Sequence, residues 1–278
     1  MSAAPDSAAP VRVASLGSIS GWRYRLLHDR GDHTLIWLTR GQGRVIVDGI
    51  RRGLGPHNAL FLPAGTLFAF EPGAQSLGTV LHCPAGRTGL WPMDPLHLRV
   101  REGAAQGELT GMLDAMQREQ GQDRLLMDEA LGAQSSLAAV WLQRQCAAGA
   151  RDALPDSAAH RLMRLYAGAL SAGFRSDRGV SDYAAALGVT ATHLTRTARA
   201  CCGMTAVAML AERKLHEAQR LLALPEPAVN RIAEALGFNS APYFTRFIRS
   251  HTGLSPTEIR NGGKPGARAP QTRGALHR

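Results

Sequence analysis

An internal repeat with a period of about fifty residues constrains the fold of this 278-residue chain more than any other feature of its sequence. Residues 180–189 align with residues 229–238 at a spacing of 49, and the segments that follow, 190–203 and 239–253, align at a spacing of 50. The identical pairs are Val180 and Val229, Ala184 and Ala233, Ala186 and Ala235, Leu187 and Leu236, Gly188 and Gly237, Thr195 and Thr245, Arg196 and Arg246, Arg199 and Arg249, and Gly203 and Gly253. The chain therefore contains one structural unit twice.

Each copy has the residue types of a helix, a tight turn and a second helix. Gly188 and Gly237 follow the first helical pattern, at the point where a residue with positive φ ends a helix. Thr190 in the first copy, and Asn239 or Ser240 in the second, are residues that cap the start of the next helix. This order predicts two helix-turn-helix units, in which the second helix places its N-terminal residues in the major groove of DNA.

A helical repeat that only packs against itself is the alternative interpretation. Such a repeat has no need of an arginine at the same exposed position in both copies, as at Arg196 and Arg246. Residues 151–278 hold 18 Lys and Arg against 9 Asp and Glu, whereas residues 1–150 hold 14 against 13. Nearly all of the net charge of +10 therefore lies in the half that carries the repeat, which favours a nucleic-acid-binding module beside a neutral one.

The segment between the two copies predicts one long connecting helix. Residues 205–224 contain no glycine or proline and carry an apolar stripe. At 1.5 Å per residue this helix would be about 30 Å long. It would hold the two units roughly 34 Å apart, which is one turn of B-DNA, so that one chain contacts two successive major grooves.

The second copy carries a recognisable pattern. Residues 232–240 read IAEALGFNS, residues 243–247 read YFTRF and residues 252–256 read TGLSP. These stretches, and more loosely residues 160–260, resemble the AraC/XylS family of bacterial transcription regulators. The resemblance implies a seven-helix DNA-binding domain after a cupin-like domain that senses a ligand and dimerises. It also implies double-stranded DNA as the partner, with RNA polymerase as a further candidate.

Eight side chains are candidates for DNA contact by their position in the second helix of each unit: Thr192, Thr195, Arg196 and Arg199, and Ala241, Thr245, Arg246 and Arg249. Arginine can donate two hydrogen bonds to guanine, and threonine can bond a base edge or touch a thymine methyl group. We expect Arg196 and Arg246 to contact a base or a phosphate. Arg199 and Arg249 lie further along their helices, where a phosphate contact or a surface ion pair is expected. Arg213 resembles a family arginine with a structural role.

The first half of the chain changes pattern near residue 95. Before it, short apolar runs separated by glycine and proline are typical of a barrel or sandwich, and residues 41–43 and 62–66 resemble the cupin barrel of this family. After it, a helical period predicts two helices with a turn near residues 121–123. Their apolar stripes would pack on the barrel or form a dimer interface, and we favour a homodimer. The candidate contacts are Leu109, Met112, Leu113, Leu137 and Trp141.

The sequence therefore predicts an α+β chain of two domains. Its predicted parts are a loose segment at residues 1–20, a cupin-like effector-binding and dimerisation domain at 21–148, a linker at 149–157, an AraC-type DNA-binding domain at 158–260, and a disordered basic tail at 261–278.

The N-terminal half lacks the pattern of a metal centre. Metal-dependent cupins carry a clustered His-x-His, a Glu and a later His, whereas His33, His57 and His82 are scattered. We therefore expect no metal, no cofactor and no catalytic residue. Alternation along a strand places His33 and Trp37 on one face and Thr34 on the other. If the first face lines the barrel, His33 and Trp37 would help form a pocket for a small organic effector. Trp37 as an ordinary core residue is the alternative.

We expect a cytoplasmic protein with no membrane partner. No apolar run is long enough to cross a bilayer, the first residues do not form a signal peptide, and the four cysteines fit a reducing compartment. Two other functions stay open, namely a cupin-class enzyme with an accessory helical domain and a DNA-binding protein that responds to no ligand.

Overall fold

The computed structural model describes residues 10–19, 21–87, 89–122, 124–152 and 156–263. Half of the segment predicted to be loose, nearly all of the predicted basic tail, and positions 153–155 of the predicted linker lie outside these residues. The other half of the first segment, residues 10–19, is not loose: it forms a strand and a 3-10 helix, and Val11, Val13 and Leu16 are buried. Within the described part of the chain, strands dominate the first hundred residues, with short helical turns between the first two strands, and long helices follow. No helix there is long and apolar enough to cross a membrane.

The N-terminal half contains eight strands within its described residues. They are β1 (Arg12–Ser15), β2 (Asp32–Arg40), β3 (Gly43–Val47), β4 (Ile50–Leu54), β5 (Asn58–Leu62), β6 (Phe68–Pro72), β7 (Leu77–Pro84) and β8 (Leu96–Arg99). A five-stranded sheet has the order β1-β7-β2-β5-β8, a three-stranded sheet has the order β4-β3-β6, and every pairing is antiparallel. The two sheets pack around a common apolar core, which confirms the expected cupin-like arrangement.

Strand β2 is apolar on both faces, and the structure assigns each face a partner. Ile36 and Leu38 lie in the core between the two sheets, together with Tyr24 of a short helix, α1 (Trp22–Arg25). Leu35 and Trp37 lie on the opposite face, in a second core that includes helical residues. Because both faces are buried, alternation alone could not show which of them faces the barrel interior.

The helical hairpin covers the outer face of the five-stranded sheet. It consists of α2 (Gly103–Gln120) and α3 (Met127–Ala147). Three of its five candidate dimer contacts, Leu109, Leu113 and Trp141, are buried against the sheet of their own chain and are unavailable to a second subunit. Met112 is half-buried, and only Leu137 is largely exposed, at 58%. The apolar faces of α2 and α3 therefore pack on the sheet of their own chain rather than on a second subunit. An open sheet face offers them more apolar area than helix edges would offer each other across a dimer interface.

The C-terminal half is helical. Its described helices are α4 (Ala158–Gly173), α5 (Val180–Ala186), α6 (Ala191–Cys202), α7 (Ala206–Leu222), α8 (Val229–Ala235), α9 (Ala241–Thr252) and α10 (Pro256–Arg260). The predicted connecting helix is α7. Its 17 residues correspond to a length of about 25 Å.

The two halves share one apolar core. Leu27 and Leu67 of the N-terminal half belong to the same cluster as Met163 of α4 and Met209 of α7. The predicted linker also begins as ordered chain, because the amide of Asp152 donates to the carbonyl of His97, an edge position of β8. An edge strand has unpaired backbone groups, and the segment after α3 satisfies part of them.

Candidate nucleic-acid interface

The first repeat unit consists of α5, a tight turn and α6. Gly188 ends α5 with a φ of 70°, in the left-handed region that glycine adopts without strain. Thr190 caps α6, since its side-chain oxygen accepts a hydrogen bond from the amide of His193 at 3.1 Å. The small Ala184 is buried between the helices, next to Leu194 in the same core. The glycine and the cap therefore fix the angle at which α6 leaves the turn.

The second unit repeats this geometry with α8 and α9. Ser240, rather than Asn239, is the cap, and its side-chain oxygen accepts from the amide of Tyr243 at 3.3 Å. Gly237 has a φ of 68°, and a β-carbon there would lie 2.3 Å from the carbonyl oxygen of Ser176. Only glycine fits this turn, for conformational and steric reasons alike.

The two second helices, α6 and α9, have 12 residues each and present matching faces to solvent. Arg196 and Arg199 of α6 are exposed, as are Arg246 and Arg249 of α9. None of these four arginines forms an ion pair with the described residues. The other candidates are Thr192, which is exposed, and Thr195, Ala241 and Thr245, which are half-buried.

Two further side chains on these faces were not predicted from the sequence. His193 and Tyr243 occupy the same repeat position in the first turn of each helix, and both are exposed, Tyr243 at 54%. Nδ1 of His193 lies 3.2 Å from a guanidinium nitrogen of Arg196. The signal that could have identified them is their spacing of 50 residues, which matches that of the arginine pairs although the residue types differ.

The connecting helix α7 carries charged side chains that face the protein rather than solvent. Arg213 is buried and donates from Nε to Oδ1 of Asp29 at 2.6 Å. Burial raises the pKa of Glu217, but hydrogen bonds from Arg220 and Arg175 outweigh burial and hold that pKa at about 2. Arg213 is therefore part of the contact between the two halves of the chain, and it cannot reach DNA.

His33 and Trp37 lie outside the barrel interior. Trp37 donates from Nε1 to the hydroxyl of Thr110 on α2 at 3.0 Å, and its ring packs edge-on against Trp141. Nδ1 of His33 accepts from the amide of Ala64. Among the residues that the structure describes, no group of three His, Cys, Asp or Glu side chains is placed to hold a metal ion.

The barrel interior instead holds a buried polar chain from other residues. The hydroxyl of Tyr24 lies 2.6 Å from Nε2 of His82, and Nδ1 of His82 lies 3.2 Å from the hydroxyl of Thr34. Burial raises the pKa of Tyr24 to about 12, so this phenol stays protonated and can donate to the imidazole.

The repeat geometry agrees with a known sequence family. Residues 183–262, which hold most of the first unit and all of the second, match the family model described as a helix-turn-helix domain. This segment is an AraC-type helix-turn-helix domain. The AraC-type domain thus contains both capped recognition helices, α6 and α9, and the connecting helix α7 between them. No curated protein matches the chain.

Several solved structures are similar to the chain. The structure of ToxT from Vibrio cholerae with bound unsaturated fatty acid has 12% sequence identity to this chain and a TM-score of 0.45. The alignment covers 95% of this chain and 98% of the ToxT chain. A second similar structure is the C-terminal domain of AraT, a response regulator from Geobacillus stearothermophilus, with 21% sequence identity and a TM-score of 0.35. The alignment covers 44% of this chain and 94% of the AraT domain. A DNA-binding transcriptional dual regulator from Escherichia coli is 20% identical over 40% of this chain and 96% of its own, with a TM-score of 0.33.

Proposed function

We propose that this protein is a transcription regulator whose AraC-type domain contacts two successive major grooves of duplex DNA with α6 and α9. The observation that carries the proposal is the recurrence of one exposed arginine, Arg196 and Arg246, on two capped helices of equal length. Because neither arginine forms an ion pair among the described residues, each charge is available to DNA. Arg199 and Arg249, one turn further on, would contact phosphates.

Selection of bound sequences from random duplex DNA tests this proposal. Two recognition helices on one chain should enrich two half-sites about 10–10.5 base pairs apart, centre to centre. Binding to the selected duplex should weaken steeply with salt, by about 0.9 log unit per log unit of salt for each neutralised phosphate. Absence of an enriched sequence, or a salt slope near zero, would contradict the proposal.

We further infer that the N-terminal domain binds a small organic effector. His33 and Trp37 remain candidates for this role, although an effector at Trp37 would have to displace α2. Tyr24 and His82 inside the barrel form a second candidate set, since a few buried polar groups among apolar walls are typical of ligand pockets. A thermal-shift screen of small organic molecules against the wild type, Trp37→Phe and Tyr24→Phe distinguishes the two candidate sets. The variant that loses the response identifies the face that binds.

The remaining assignments follow from this function. The protein would act in the cytoplasm as a homodimer, with RNA polymerase as a further partner and without catalytic activity. A cupin-class enzyme remains the competing function, and a turnover screen of the purified chain would detect it. A DNA-binding protein without ligand response is distinguished by an operator affinity that no effector changes.

A further inference from the structure

A small recess lies where the barrel, the segment after α3 and the first helix-turn-helix unit meet. Its walls come from β4, from β8, from Asp152, from His160 of α4, and from Ala200 and Cys201 at the end of α6. Its volume is about 350 Å³. We call it the arginine recess, because Arg51, Arg52 and Arg99 line it. It is separate from both candidate effector sets and from the eight candidate DNA contacts.

The arginine recess carries an excess of positive charge. Asp152 is the one carboxylate among its lining residues, and its Oδ2 lies 3.1 Å from Nη2 of Arg99 and 3.8 Å from Nη1 of Arg52. Three guanidinium groups against one carboxylate leave a net charge of +2. A dianion would neutralise this excess, whereas a monoanion would leave half of it uncompensated.

A buried histidine positions the innermost arginine. The side chain of His97 is 2% exposed, and its Nε2 lies 2.8 Å from the amide oxygen of Asn58, so Nε2 carries the proton and donates. Its Nδ1 then accepts from Nη1 of Arg52 at 3.3 Å. Burial is the main reason that the pKa of His97 is lowered to about 4. The negative charge of Asp152 acts to raise this pKa, and the positive charges of Arg52 and Arg99 act to lower it. The imidazole is therefore neutral near pH 7 and holds Arg52 towards the recess.

We propose that the arginine recess binds a small phosphorylated metabolite through its phosphoryl group, which Arg51, Arg52 and Arg99 hold. Arginine presents a fork of N–H donors that matches phosphate oxygens. The volume is at the lower end of the range for small-molecule sites. The side chain of Arg52 is only 10% exposed, so it lies too deep for the backbone phosphates of a rigid duplex.

Occupation of the arginine recess would connect the sensing half to the first recognition helix. A β-carbon at Gly203, which ends α6, would lie 3.7 Å from Nη1 of Arg51. A phosphoryl group bound by Arg51 would therefore lie next to both β4, which carries Arg51, and the end of α6. This would fix the orientation of the first unit relative to the barrel, and with it the distance between α6 and the half-site that it contacts.

Thermal unfolding of the full chain in increasing inorganic phosphate, with chloride replaced so that ionic strength stays constant, tests the proposal. The wild-type midpoint should rise with phosphate and saturate. Arg99→Gln and Arg51→Gln, which change exposed side chains, should each weaken phosphate binding about tenfold. Arg40→Gln, an exposed arginine of β2 outside the recess, is the control and should respond as the wild type does. By NMR at pH 8, where phosphate is a dianion, the imidazole resonances of His97 should shift and saturate as phosphate is added, because the anion binds next to Arg52, which contacts Nδ1 of His97.

A wild-type midpoint that does not change with phosphate overturns the proposal, and so does an equal response in all three variants. Imidazole resonances of His97 that do not move with phosphate at pH 8 also overturn it, since the ion would then bind elsewhere. If instead Arg51→Gln and Arg99→Gln weaken duplex binding while phosphate has no effect, these arginines belong to the DNA surface. These outcomes are independent of the half-site selection that tests the regulator function.

Discussion

Arg213 of α7 and Asp29 of the N-terminal half form an ion pair of 2.6 Å across the boundary between the two halves of the chain. Arg213 is 4% exposed and Asp29 24%, so solvent screens this pair much less than a surface pair. The rings of His28 and His216 stack beside it, with centroids 4.4 Å apart. The helix that separates α6 and α9 is thus attached to the N-terminal half by specific polar contacts.

Asp29→Asn should destabilise this boundary. The change leaves the buried guanidinium of Arg213 without its strongest partner, and we expect the free energy of unfolding to fall by roughly 1–3 kcal/mol. Urea denaturation of the full chain measures this. Glu234→Gln is the control, because the pair of Glu234 with Arg231 is exposed and its loss should cost less than about 0.5 kcal/mol. Equal effects of the two substitutions would contradict a structural role for the boundary pair.

Arg246→Ala and Arg196→Ala should each weaken specific DNA binding and leave the fold intact. Loss of a two-bond guanine contact costs roughly 1–3 kcal/mol and relaxes selection at that base pair. Loss of a phosphate contact would instead weaken all sequences about equally and lower the salt slope by about one unit. Fluorescence anisotropy on selected and scrambled duplexes distinguishes these results. Arg231→Ala on α8 removes the same charge outside the recognition helices and should change affinity least.

We expect Arg246 to matter for affinity at least as much as Arg196, because the second unit matches the AraC-type pattern more fully. The opposite ranking would mean that the first unit does most of the base reading. If neither variant loses affinity on the selected duplex, α6 and α9 do not enter the groove.

Leu137→Glu should shift the chain from dimer to monomer. Leu137 is 58% exposed on α3, so a charge there costs little within one chain but would be buried in a dimer interface. Sedimentation velocity at tens of micromolar measures the change. Leu165→Glu, at 62% exposure on α4, is the matched control and should leave the dimer unchanged. A wild type that sediments as a monomer would remove the dimer proposal.

Asp48→Asn should stabilise the protein at neutral pH. Burial raises the pKa of Asp48 from 3.8 to about 6, although its hydrogen bond from the amide of Leu67 and the charge of Arg164 oppose this. The folded chain therefore holds a proton there more tightly than the unfolded chain, and wild-type stability falls as the pH rises from about 4 to about 6. Asparagine tolerates the φ of 46° at this position and has no charge to bury.

The expected gain is roughly 1–2 kcal/mol at pH 8, and it should vanish below about pH 3, where the wild-type carboxyl is protonated in both states. Urea denaturation of both proteins across this range measures it. A gain that is independent of pH would point to a cause other than ionisation.

The local sequence contained enough information for the helix-turn-helix units. Gly188, Gly237 and Thr190 act through their own backbone and their nearest neighbours, so their residue types alone predicted the positive φ values and the cap. The recurrence of the pattern 50 residues later then identified the second unit and the exposed arginines.

The sequence by itself determined the two-domain order, the strand-rich first half, and the paired recognition helices, because caps, turn glycines and apolar periods depend on residues close together in the chain. Only the tertiary structure decided that Trp37 faces α2 rather than the barrel interior, and that Leu109 and Trp141 pack within their own chain. It also brought Asp29 to Arg213, 184 residues away. The hydrophobic effect depends on the apolar area that is buried and not on direction. For a strand or helix with two apolar faces, the rest of the fold therefore decides what packs on each face.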